Sequence, residues 1–225
     1  MASLAFPVSA VIFDVDGVLV DSYEPHYQSW LEFARRRGWR FSREEFVKTF
    51  GRTSREILLE TWGSAEATWE DLHIAHMDDE KESIYRDLIA DHCPIMEGAS
   101  ALIDALHQAG LQIAVGSSGP PENVELVLRH VDPLHKIRGV VTGRDVQRGK
   151  PDPQVFLTAA HKLGVPPNQC IVVEDAPAGI EAAHRAGMRC VGILSTGRTP
   201  EQLVAAELRV HSLVELTPEI FRQLH

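Results

Sequence analysis

The chain has 225 residues, 44% of them hydrophobic and 24% charged, the make-up of a globular protein with room for one large domain or a domain and a smaller companion. With 22 Lys and Arg against 32 Asp and Glu, the formal net charge of −10 excludes a broad nucleic-acid surface. An anionic ligand then requires a metal ion and a few basic side chains to reverse the field locally. No apolar run reaches the roughly 18 residues of a membrane span, and the opening "MASLAFPVSA" lacks the basic start of a signal peptide. Cys93, Cys170 and Cys190 have no metal-ligand spacing and read as reduced thiols, so a cytoplasmic setting is expected.

The first predicted strand covers about Ala10 to Phe13 and ends on Asp14, Asp16 and Gly17. A long helical stretch follows. "EPHYQSWLEFARRRGW" carries Tyr27, Trp30, Leu31 and Ala34 at helical spacing and stops at Gly38. "SREEFVKTF" opens on Ser42 with Glu45 three residues on, the pattern of a capping box. "SREILLETW" is a third helix. A fourth is predicted from about Thr68 to Asp91, with Ile74, Met77, Ile84 and Leu88 on one stripe and Pro94 closing it.

After Pro94 the rhythm changes. "ASALIDALHQAG", "PENVELVLRHV", "DPQVFLTAAHKLG" and "PAGIEAAHRAG" read as helices. Between and after them, "LQIAVG", "IRGVVTG", "QCIVVED" and "MRCVGIL" read as strands, with the fragment "LRV" and a short helix near Glu219 to Leu224 at the end. Apolar strands alternating with helices define a parallel sheet covered on both faces. A crossover in such a sheet needs only a dozen or so residues. The stretch from 22 to 92 is far longer, and is expected to be an all-helical domain inserted into a Rossmann-like core made of residues 1–21 and 93–225.

In a parallel sheet the ligand edge lies at the carboxyl ends of the strands. The loops there hold Asp14, Asp16 and Gly17; then Ser117, Ser118 and Gly119; then "RDVQRGKPDP" with Lys150; then Glu174 and Asp175. Taken singly, each is an ordinary turn or helix start. Together they make a chemistry. Asp14, Glu174 and Asp175 crowd carboxylates that only a hard cation such as Mg²⁺ stabilises. Ser117 and Lys150 suit the oxygens of a phosphoryl group. One aspartate can then attack phosphorus while its neighbour moves protons.

The four segments "DVDGVLVDS", "VGSSG", "GKPDP" and "VEDAPAGIEAA" resemble, in order, the motifs of the haloacid dehalogenase superfamily of phosphatases and phosphomutases. The resemblance implies a Rossmann-like core with a helical cap, Mg²⁺ as cofactor, and a small phosphorylated metabolite as substrate. Asp14 would be nucleophile and metal ligand. Asp16 would be general acid/base and lend its backbone carbonyl to the metal. Ser117, Ser118 and Lys150 would hold the phosphoryl group, and Glu174 and Asp175 would complete the metal site. A dehalogenase is disfavoured because those members lack the second aspartate.

Within the superfamily the chain looks most like the β-phosphoglucomutase and sugar-phosphate phosphatase branch. His26 lies where the mutases carry a hinge histidine. Two departures weaken the mutase: Phe50 precedes Gly51 where the mutases have a lysine, and "SSGPP" replaces a stretch bearing lysine and asparagine. Arg52 or Arg55 is expected to supply the missing charge from the insertion. The expected protein is therefore a phosphatase of a sugar or polyol phosphate, monomeric or a weak dimer, with a phosphomutase as the alternative. A signalling receiver domain, which shares the residue types, is shorter and has no helical insertion.

Overall fold

The computed structural model describes residues 7–63 and 70–224. Strand β1 (Ala10–Phe13) is buried along its whole length, and its alternating side chains serve both faces of one sheet. Strands β2 (Gln112–Gly116), β3 (Gly139–Val141), β4 (Cys170–Glu174), β5 (Arg189–Ile193) and β6 (Leu208–Val210) complete it. All pairings are parallel, in the order β3-β2-β1-β4-β5-β6. Beside β1, Phe13 is level with Val115 on one side and Val173 on the other.

Helices α7 (Gln154–Leu163) and α8 (Pro177–Arg185) cover one face. There Ala10, Ile12, Ala114 and Val172 pack with Phe156, Ala159, Ile180 and Ala183. The remaining core helices are α5 (Ala99–Gln108), which packs on β2, α6 (Pro121–Val131) and α9 (Pro218–Gln223). The sequence reading of an α/β core with a parallel sheet is what the molecule shows, and even the three-residue "LRV" is a strand, paired in register with β5.

Contacts divide the chain into two units, Met1–Asp21 with Pro94–His225, and Ser22–Cys93. Among the described residues the second unit forms helices and no strands: α1 (Tyr23–Arg36), α2 (Arg43–Thr49), α3 (Ser54–Thr61) and α4 (Asp71–Ile89). Its core joins Trp30, Phe33, Phe46, Leu58, Ile74 and Met77. Ser42 and Glu45 do form the expected capping box, and Thr53 and Glu56 form a second one. The start of the predicted fourth helix, Thr68 and Trp69, lies outside the described residues. Its stripe needs one correction. Leu88 is half exposed, and Ile89, one position on, takes the buried place.

That stripe also buries a charge. Lys81 occupies the turn between Met77 and Ile84, fully enclosed. Its ammonium lies 2.8 Å from Glu82 Oε1 and 2.8 Å from His26 Nδ1, over the ring of Trp30. Ser54 donates a hydrogen bond to the same Glu82 oxygen. Burial alone would raise the Glu82 carboxyl, but Lys81 and His26 outweigh it and hold it down to about 2. A carboxyl lowered from 4.5 stabilises the fold above its unfolded value and loses that contribution as pH falls towards 2. Glu82→Gln should therefore cost about 3 kcal/mol at neutral pH. Denaturant midpoints should show the gap narrowing once pH drops below about 4.5; a constant gap would mean that the charge on Glu82 contributes nothing.

Candidate active site

The chain leaves β1 for β2 and β3 on one side, then returns to place β4, β5 and β6 on the other. The order therefore reverses between β1 and β4, the place where open α/β sheets leave a crevice beyond their carboxyl ends. Asp14 follows β1 and its N–H donates to Val173 O, while Glu174 ends β4 and Asp175 comes next. An oxygen from each of Asp14, Glu174 and Asp175 lies within 4.8 Å of the others, and all three residues are buried.

Lys150 enters from the loop before α7. Its Nζ donates to Asp14 Oδ1 at 2.7 Å and to Glu174 Oε1 at 2.6 Å, and its side chain is only 9% exposed, far from an ordinary loop lysine. Burial would lower the ammonium's pKa; Asp14 and Glu174 overcome that and push it up. Glu174 Oε2 accepts two backbone N–H groups, from Asp175 and Ala176, both at 2.7 Å. Glu174 is thus held at both oxygens.

Asp14 is less content. Burial drives its carboxyl well above the usual range, Lys150 opposes, and Glu174 and Asp16 add to the rise. Asp175 is likewise pushed up to about 6 by burial, with Arg198 opposing and Glu174 reinforcing. One lysine does not balance the carboxylates gathered here. Their all-oxygen donor set is the kind a hard divalent cation takes.

Ser117 follows β2, buried, and its Oγ accepts the N–H of Gly119 at 2.9 Å. A methyl group on Gly119 would sit 3.3 Å from that Oγ and 3.6 Å from Asp16 Oδ2, so Asp16 and Ser117 flank the same bare stretch of backbone. Ser118 is exposed beside them. Gly17 and Gly179 are required by close approach. Gly17 has a φ of 75°, and a Cβ on it would overlap Asp175 Oδ2; one on Gly179 would overlap Glu174 Oε1.

The residues expected to act from the insertion are engaged within the helical unit. Arg52 is paired with Glu60 and Arg55 with Asp71, while His26 stacks on Tyr85 at 4.0 Å and meets Lys81. Phe50 packs edge-on to Tyr23 at 4.7 Å. Reading the sequence missed four residues. Ser195 and Arg198, after β5, both bond Asp175 Oδ2, and nothing in "STGRTP" marks them. Lys81 and Glu82 had a signal, a lysine at the i+7 place of an apolar stripe that began at Ile74.

A six-stranded parallel sheet with buried carboxylates, a lysine and a serine at its switch point defines an α/β enzyme acting on phosphate esters. Its family follows from comparison. The haloacid dehalogenase-like hydrolase model matches residues 8–187, and the chain belongs to that family. It is 34% identical to validoxylamine A 7'-phosphate phosphatase of Streptomyces hygroscopicus subsp. limoneus, covering 91% of this chain and 94% of that one. It is 32% identical to β-phosphoglucomutase of Bacillus subtilis (strain 168), covering 96% and 95%. Among solved structures, CbbY from Rhodobacter sphaeroides in complex with phosphate superposes with a TM-score of 0.86 at 26% identity, covering 96% of this chain and 99% of that one. Sugar-phosphate phosphatase or phosphomutase-like chemistry is the class these relatives share. No helix among the described residues is long and apolar enough to cross a membrane.

Proposed function

We propose that the chain is a Mg²⁺-dependent phosphatase of a small phosphorylated metabolite, a sugar or polyol phosphate, working through an aspartyl-phosphate on Asp14. The observation that carries this reading is the Asp14–Lys150–Glu174 contact beside Asp175, at the switch point and buried. Among the described residues no hydrogen bond reaches Asp14 Oδ2, so one oxygen is available for attack. The new bond joins that carboxylate to phosphorus as the ester P–O bond breaks. Asp16 gives a proton to the departing alkoxide and later takes one from the water that releases phosphate. Ser117, Ser118 and Lys150 hold the remaining phosphoryl oxygens.

Asp14, Glu174, Asp175 and the backbone carbonyl of Asp16 would hold Mg²⁺, with Glu174 also anchoring Lys150. The ion, when bound, supplies positive charge to the phosphoryl oxygens and relieves the crowding of the carboxylates. Chelation should abolish turnover, and added Mg²⁺ should restore it. The same ion should raise the melting temperature, by about 2.7 kcal/mol of stability at a hundred times its Kd. Turnover and melting that both ignore a chelator would contradict the metal assignment.

His26, Arg52 and Arg55 enter this reading as selectivity residues. A phosphomutase remains the second reading because a β-phosphoglucomutase matches nearly the whole chain. Against it stand Phe50, committed to aromatic packing where the mutases carry lysine, and "SSGPP" after β2. A screen of phosphorylated metabolites for phosphate release tests the proposal. β-Glucose 1-phosphate should yield phosphate and little glucose 6-phosphate, with or without a bisphosphate. Efficient bisphosphate-dependent isomerisation would favour the mutase.

A further inference from the structure

Asp175 is gripped from a part of the chain that carries none of the four motifs. Ser195 Oγ donates to Asp175 Oδ2 at 2.8 Å, and Arg198 Nε donates to the same oxygen at 3.0 Å. The ion pair is enclosed, with 8% of the Arg198 side chain and 4% of the Asp175 side chain exposed. Arg198 N–H bonds Ser195 O at 3.1 Å, so the two donors belong to one tight turn after β5. On the other side the backbone at Gly17 presses against Oδ2 so closely that a Cβ would overlap it. Oδ2 is thus held by two donors and a wall, while no hydrogen bond among the described residues reaches Oδ1.

We propose that Arg198 is a positioning residue for the metal site, fixing Asp175 through Oδ2 so that Oδ1 is kept for the cation. The inference rests on the Mg²⁺ reading above and adds to it a residue outside the motifs. Two effects of the guanidinium oppose each other. As a charge it repels a nearby divalent cation. As a donor it fixes the ligand's orientation, which the free carboxylate would otherwise lose in rotation about its side-chain bonds. Outer-shell partners of metal ligands are worth about 10–100-fold in metal affinity, so orientation outweighs repulsion and the sign of the effect is decisive.

The test is titration of Mg²⁺ alone into the substrate-free protein, read by calorimetry and by thermal shift, for wild type, Arg198→Met, Arg198→Lys and Ser195→Ala. Wild type should bind. Arg198→Met should bind at least about tenfold more weakly, with Arg198→Lys in between. Ser195→Ala removes the other donor with little change of shape, and should weaken Mg²⁺ in the same direction if Arg198→Met fails to fold. Equal or tighter Mg²⁺ binding by the variants, with wild type binding normally, would overturn the positioning role and leave the metal reading standing. A lower melting temperature with unchanged Mg²⁺ affinity would overturn it too, showing a purely structural ion pair. Failure of wild type itself to bind Mg²⁺ would instead remove the metal reading, and the proposal with it.

Discussion

Asp14→Asn should lose at least about a thousandfold in turnover, roughly 4 kcal/mol of barrier, while the metal-free protein stays as stable as wild type or becomes more so. The two halves of this result have separate causes. An amide oxygen cannot attack phosphorus as a carboxylate does, so no phosphoenzyme forms. The stability follows from the crowd around Asp14. Burial, Glu174 and Asp16 together push its carboxyl well above the usual range despite Lys150, so the charged form is strained in the folded state. Asparagine removes that strain and its side-chain oxygen can still accept from Lys150. Steady-state kinetics and denaturant midpoints on one preparation check both. Activity within about tenfold of wild type, ~1.4 kcal/mol, would refute Asp14 as nucleophile.

Lys150→Met should be the most damaging change for stability among the site residues, costing about 3–5 kcal/mol. Lysine here joins two buried carboxylates at 2.7 and 2.6 Å, and methionine would keep the packing of its stem beside Phe156 but leave Asp14 and Glu174 without their cation. The carboxylates can escape the penalty only by taking up a proton. A carboxyl whose folded pKa rises makes the fold more stable at low pH and less so as pH climbs through that value. The loss in Lys150→Met should therefore be smaller near pH 5 than near pH 8, and Mg²⁺ should stabilise the variant more than it stabilises wild type. Chemical denaturation across that range tests this. A pH-independent loss below about 1 kcal/mol would show that Lys150 is not the counter-charge of this pair.

The parallel sheet was legible because its strands are nearly continuous apolar runs, such as "CIVVE", bounded by helices whose periodicity is plain. The motif residues were legible for a different reason: Asp14, Ser117 and Asp175 each immediately follow a strand, so finding the strand finds the residue. What escaped was contact between distant segments. Ser195 and Arg198 reach Asp175 across 20 and 23 residues, and no local pattern announces that a turn after β5 folds back over β4. Lys81 sits inside an apolar stripe. A stripe is scored by its apolar members, so the charge inside it passed as an interruption, although it is the most deeply enclosed lysine of the helical unit. Leu88 lies within the angular reach of the stripe but in the helix's last turn, where exposure is set by what packs against it and not by spacing.

The measurement that bears most directly on the account is chemical trapping of the phosphoenzyme. Enzyme and a large excess of a hydrolysable phosphate ester are quenched in acid during turnover, reduced with borohydride, digested and sequenced by mass spectrometry. An acyl phosphate on Asp14 is reduced to homoserine as phosphate leaves, so the peptide containing "VIFDVDG" should carry homoserine at position 14 and an unchanged aspartate at position 16. Homoserine at position 16 instead, or active turnover that leaves both aspartates unreduced under every quench time, would contradict the assignment of Asp14 as the residue that accepts the phosphoryl group.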